Sequence, residues 1–210
     1  IAPSASALTF TPPRATHSIA TIEVPSTKDF AGLPAIESEL ADVASDYREH
    51  IAIPSSRATL ASIRDAAARA DVLHIAGHTE ARPGLGDAAL MLDEPVSWST
   101  IAASPFHRAC TVVLSACETL RTPRSPQSRA LSLGGGFLAA GAADVIGTLT
   151  PITDEDARTI FGAFHKHFAR GEDAASALRN AQLEAITNGR KTAWRAVALL
   201  TNRIPNRRTP

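Results

Sequence analysis

Thr111, Val112, Val113 and Leu114 form a short apolar run, rich in β-branched side chains, that passes at once into Ser115, Ala116 and Cys117. Pro105, His107 and Arg108 bound it upstream, and a polar break over residues 118–132 bounds it downstream. A run this short, apolar toward both faces, reads as a parallel strand covered by helices on both sides. In open α/β sheets, ligands and chemistry sit outside the carboxyl ends of the strands. A cysteine placed there, among small neighbours that let a substrate backbone approach, is a candidate nucleophile. A second run, Ala70-Asp71-Val72-Leu73-His74-Ile75-Ala76, ends in the same way, with Gly77 and then His78. As neighbouring parallel strands, the two runs bring His78 and Cys117 out at one sheet edge. There an imidazole can take the proton of the thiol and leave the reactive thiolate.

The rest of the chain alternates the same two kinds of element. Strands are expected over 18–24, 51–53, 144–149 and 197–200, with a short hairpin strand at 88–92. Helical spacing predicts a helix over 30–46, with Leu33, Ile36, Leu40 and Val43 on one stripe. Ser56 or Thr59 opens the next helix, Ser97 or Ser99 a brief one, Thr153 a long one over 154–169, and Asp173 one running to about 187. Residues 80–87, with Pro83, Gly84 and Gly86, read as a loop. The longest irregular segment, 119–132, carries Arg121, Arg124 and Arg129; it is either a cleft-shaping loop or a solvated connector. Gly134, Gly135 and Gly136 open a helix over 133–140 and lack the Gly-Lys-Ser/Thr of a phosphate loop; they are expected to permit close helix–sheet packing. About six strands alternating with helices predict an α/β fold with a mostly parallel central sheet between two helical layers.

Composition narrows the partners. Twenty-one basic and 21 acidic residues give zero formal net charge, so nothing favours nucleic acid or an anionic membrane surface. No apolar run approaches the ~20 residues that cross a bilayer, and the first residues do not resemble a signal peptide. The first residue is not Met, and the chain is expected to be a domain cut from a longer polypeptide. Cys110 and Cys117 lie at opposite ends of one expected strand, ~20 Å apart, too far for a disulfide. That suits a reducing cytoplasm. His74 and His78, ~13 Å apart on a strand, are too distant for one metal ion, so His74 is expected to be a hydrogen-bonded core residue. His107, His165 and His167 show no partner pattern and are expected at the surface or in loops.

The pairing of VLHIAGH at 72–78 with VVLSACET at 112–119 resembles the CHAT peptidase domain, a bacterial relative of caspases and separase. LPAIESELADV at 33–43, ATLASIRDAAARA at 58–70, LGGGFLAAGAADVI at 133–146, AASALRNAQ at 174–182 and WRAVALL at 194–200 resemble further segments of that family in the same order. The likeness runs over 16–203, leaving 1–15 as a linker or extended arm and 204–210 as a basic tail. It implies a three-layer α/β/α caspase-like fold and a cysteine endopeptidase with a Cys117–His78 dyad, needing no cofactor and no metal. The backbone N–H groups of Cys117 and Thr79 are then the oxyanion donors, with Thr79 standing where relatives carry glycine. Residues 147–156 resemble the turn that shapes the pocket for the side chain before the scissile bond, with Thr150 where relatives carry Trp. There Asp154 or Asp156 is expected either to pair with a basic substrate side chain or only to neutralise the helix start. Glu118 follows the nucleophile and is expected to orient a loop or the substrate backbone.

By the same likeness the partner is a protein or peptide substrate, with regulation by a fused or associated repeat or sensor domain and a place in bacterial defence. The alternative is a catalytically weak or inactive caspase-like scaffold that binds proteins, for which the atypical Thr79 speaks.

Overall fold

The computed structural model describes residues 16–25, 36–80, 89–122, 131–189 and 193–203. The expected arm at 1–15, the tail at 204–210, Leu33, Arg124, Arg129 and loop residues 81–87 lie outside the described residues.

Six strands form the central sheet: β1 (Ser18–Glu23), β2 (Glu49–Ile53), β3 (Val72–Ala76), β7 (Thr111–Ser115), β8 (Asp144–Thr148) and β9 (Val197–Thr201). Their order is β2-β1-β3-β7-β8-β9. All neighbours are parallel except β8 and β9, which run antiparallel. Three short strands, β4 (Thr79–Glu80), β5 (Ala89–Met91) and β6 (Pro95–Ser97), make a separate antiparallel sheet directly after β3.

Alternation along the strands divides the core into two layers. Leu73, Ile75, Val112, Leu114 and Val145 face α2 (Leu60–Arg69), α3 (Trp98–Ala102) and α4 (Leu133–Ala139). Val72, Val113 and Ile146 face the other way, onto α1 (Ile36–Ala44), α5 (Asp154–Ala169) and α6 (Ala174–Thr187). A last short helix, α7 (Ala193–Ala196), leads into β9. Every core strand of β3, β7 and β8 is buried along its whole length, which is why each reads as an unbroken apolar run.

Helix starts follow local hydrogen-bonding chemistry. Thr59 and Ser62 exchange reciprocal side-chain to backbone bonds at the start of α2. Ser97, Thr153 and Asp173 cap α3, α5 and α6 in the simpler way. The glycines of α4 do allow close packing. A Cβ on Gly136 would stand 2.6 Å from the Trp98 carbonyl oxygen, so α3 and α4 touch backbone to backbone there.

The sheet is closed at the amino ends of its strands. Asp71 accepts from the Ser18 amide and hydroxyl and pairs with Arg108. Cys110 enters β7 at this closed end and is buried.

Candidate active site

Strands β3 and β7 pair in register from Val72 opposite Thr111 to Ala76 opposite Ser115. The pairing continues one step further, with the Gly77 amide donating to the Ser115 carbonyl at 3.1 Å. His78 and Cys117 therefore each lie two residues beyond a matched pair. Gly77 leaves its strand at φ +147°, and a Cβ on it would stand 2.4 Å from the Cβ of Val24. Only glycine fits this turn beside the end of β1.

His78 and Cys117 line one cleft, open to solvent, whose walls include Ile36, Glu39, Gly77 and Asp154. Cys117 is exposed and Cys110 is buried. Burial pushes the Cys110 thiol up to about 12 despite the nearby Arg108 guanidinium, which removes it from thiolate chemistry near neutral pH.

The residues after Cys117 are held by a set of threonine bonds. Glu118 adopts φ +55°, and its carboxylate pairs with Arg121 at 2.5 Å. It borders a shallower depression with Leu120, Thr122, Leu149 and Thr150, outside the main cleft. Thr119 is fully buried, and its Oγ1 accepts from the Thr148 amide at 3.0 Å. The Leu120 amide donates back to the Thr148 carbonyl at 2.8 Å. The Thr148 hydroxyl donates to the Ala116 carbonyl at 2.6 Å, and the Thr79 hydroxyl donates to the Cys117 carbonyl at 2.5 Å.

Of the two candidate pocket carboxylates, Asp154 borders the cleft, and Asp156 is not among the cleft-lining residues. The Asp156 amide instead donates to the capping hydroxyl of Thr153.

Sequence reasoning missed Glu39. It is 4% exposed, borders the cleft, and its Oε1 lies 2.9 Å from His74 Nε2. His74 Nδ1 lies 2.9 Å from His165 Nε2, and His165 Nδ1 lies 2.8 Å from the Tyr47 hydroxyl. His74 and His165 are both fully buried. The expectation that His165 lies at the surface or in a loop is thus corrected. It sits on the inward stripe of α5 with Phe161, Phe164 and Phe168, a helical spacing that was readable. Burial, reinforced by His74, holds the His165 proton affinity well below the usual range. His167 is likewise no free surface group. Its two ring nitrogens meet Glu172 and Glu184 at 2.7 Å each, and the Glu184 hydrogen bond leads in raising its proton affinity. His107 is exposed.

Glu39 also carried a signal, since it lies three residues after Ile36 and four before Val43, on the face those residues bury. Among the described residues no group of three or more His, Cys, Asp or Glu is arranged to hold a metal ion, and no helix is long and apolar enough to cross a membrane.

Comparison with solved structures finds the same fold elsewhere. The complex of Porphyromonas gingivalis RgpB pro- and mature domains superposes with a TM-score of 0.60 at 10% identity, over 86% of this chain and 46% of that one. The Arg specific cysteine proteinase gingipain R gives a TM-score of 0.60 at 10% identity, over 86% of this chain and 45% of that one. The Saccharomyces cerevisiae separase–securin complex gives 0.64 at 12% identity, over 89% of this chain and 12% of that one. The chain thus spans less than half the length of each of these neighbours. They share its caspase-like α/β fold. No curated protein matches the sequence. The family model of the CHAT domain matches residues 1–206, and the chain belongs to that family.

Proposed function

We propose that the protein is a cysteine endopeptidase acting through Cys117 and His78. The observation that carries this reading is the register of β3 and β7, which delivers one imidazole and one exposed thiol to the same cleft. The Cys117 thiolate attacks the substrate carbonyl carbon and forms a C–S bond, with the displaced electron pair on the carbonyl oxygen. The Cys117 and Thr79 amides receive that oxyanion. Collapse breaks the C–N bond as His78 gives its proton to the leaving amine, and a thioester remains. His78 then takes a proton from water, hydroxide adds to the thioester, and the thiolate leaves.

The substrate is a protein segment held extended along the cleft. Asp154 on its wall supports a preference for a basic side chain before the scissile bond. Two structural neighbours, an Arg specific cysteine proteinase and a separase–securin complex, are consistent with a basic cleavage site and with protein partners. Regulation by a fused or partner sensor domain, in bacterial defence, completes the reading.

Iodoacetamide tests the dyad. Cys117 is expected to alkylate at least about 100-fold faster than Cys110, and His78→Ala to lower the Cys117 rate about tenfold or more. Slow and equal labelling of both thiols defeats the proposal. Specificity is tested by peptide-library cleavage with Asp154→Asn. Loss of a basic preference supports the pocket, and an unchanged profile removes Asp154 from it.

A further inference from the structure

Two hydroxyls grip the backbone on either side of the nucleophile. Thr148 Oγ1 donates to the Ala116 carbonyl at 2.6 Å, and Thr79 Oγ1 donates to the Cys117 carbonyl at 2.5 Å. The Ala116 carbonyl and the Cys117 amide belong to one planar trans peptide, so they point in opposite directions. Fixing the carbonyl on Thr148 fixes the line along which the Cys117 N–H points. A donor on that carbonyl also polarises the peptide and strengthens the N–H as a donor.

Thr148 is itself immobile. It is fully buried at the end of β8, its amide is bonded to Thr119 Oγ1, and its carbonyl receives the Leu120 amide. Thr79 works from the opposite side. It follows His78 directly, so its hydroxyl ties the histidine loop to the cysteine loop. Glu118, the residue after Cys117, adopts φ +55°, a conformation that persists only when its surroundings over-determine it. The two threonine bonds are part of that determination.

We propose that Thr148 and Thr79 are positioning residues, whose hydroxyls hold the two carbonyls flanking Cys117 and so aim its N–H at the developing oxyanion. This rests on the peptidase reading above. In place of a glycine after the histidine, the chain uses a side chain that links the two residues whose amides would form the hole.

The test separates thiol reactivity from oxyanion binding. Iodoacetamide alkylation needs the thiolate and no oxyanion. Reversible addition of a peptide aldehyde, with acetyl-leucyl-leucyl-argininal and acetyl-leucyl-leucyl-norleucinal as probes, needs both. Thr148→Val and Thr79→Val are compared with Thr148→Ser and Thr79→Ser, with circular dichroism and thermal melting as controls on folding. The expected result is alkylation of Cys117 within about threefold of the parent in the valine variants, with aldehyde affinity reduced about 10- to 100-fold. The serine variants are expected to recover most of it. Thr148→Val binding aldehyde as tightly as the parent overturns the inference and leaves the peptidase reading standing. So does a parallel fall in alkylation and aldehyde binding that serine does not rescue. A parent that neither alkylates preferentially at Cys117 nor binds either aldehyde overturns the peptidase reading, and this inference with it.

Discussion

Strand β7 carries a cysteine at each end, and the two ends have opposite fates. Cys110 stands at the closed end, where its carbonyl accepts the Ala143 amide and Asp71 pairs with Arg108 nearby. Cys117 stands at the open end, beyond the last matched pair of the sheet, on a cleft shared with His78. The residue type is the same, and so is the strand. What differs is where the connections run. Parallel strands all end on one side, and the loops that leave there are free to splay and make a crevice. The amino ends are filled by returning helices and by polar groups that satisfy one another.

The sharpest way to break this comparison is to exchange thiols for methyl groups. Cys117→Ala is expected to reduce peptidase activity by about a thousandfold or more. Cys110→Ala is expected to leave it within about twofold, since that thiol touches no reacting atom. Comparable losses in both variants, measured as kcat/KM on one protein substrate, contradict the assignment of the two ends.

A smaller effect concerns alkaline stability. The Cys110 thiol titrates near 9 in the unfolded chain and is pushed up to about 12 by burial in the fold. Between those values the native state binds a proton that the unfolded state has lost, so stability falls as pH rises. The slope approaches about 1.4 kcal/mol per pH unit. The contribution is fully present below the lower value. Urea unfolding from pH 8 to pH 10.5 is expected to show this decline, and Cys110→Ala to flatten it.

The smallest expected effect lies at acid pH, away from the strand ends. His165 is held neutral by burial and by His74. Below the ordinary histidine value of ~6.5, the unfolded chain takes up a proton that the native state refuses. Its contribution to stability is present above that pH and is lost as pH falls. The unfolding midpoint is expected to drop between pH 7 and pH 5. His165→Leu is expected to cost about 1–3 kcal/mol at pH 7 by stranding His74 Nδ1, while making the remaining acid dependence shallower. An unchanged dependence argues against a neutral buried His165.

Much of the fold was legible because burial on both faces forces apolar runs, and because helix starts need local acceptors. The apolar runs at 70–76 and 111–114 announced the strands β3 and β7, and Thr153 and Asp173 announced the helices after them. The cleft was legible where strand ends and a helix start place its lining, as at Gly77-His78, Ala116-Cys117 and Asp154. Glu39, His165 and Tyr47 were not, because their partners come from elements far along the chain. His165 meets Tyr47 across 118 residues and His74 across 91. Periodicity places a side chain on a buried face, but not which polar atom it will find there. Thr148 and Thr119 were missed for a related reason. A threonine at a strand end has several acceptors within reach, and the choice is made by the loop that folds over it.

The bond from Glu39 to His74 has a mechanical consequence. Helix α1 forms one wall of the cleft, and that wall is fastened to the sheet by a directional polar bond as well as by oily contact. Grease lets a helix slide by fractions of an ångström at little cost; a hydrogen bond at 2.9 Å holds its length or lets go. The groove therefore has one preferred width on this side.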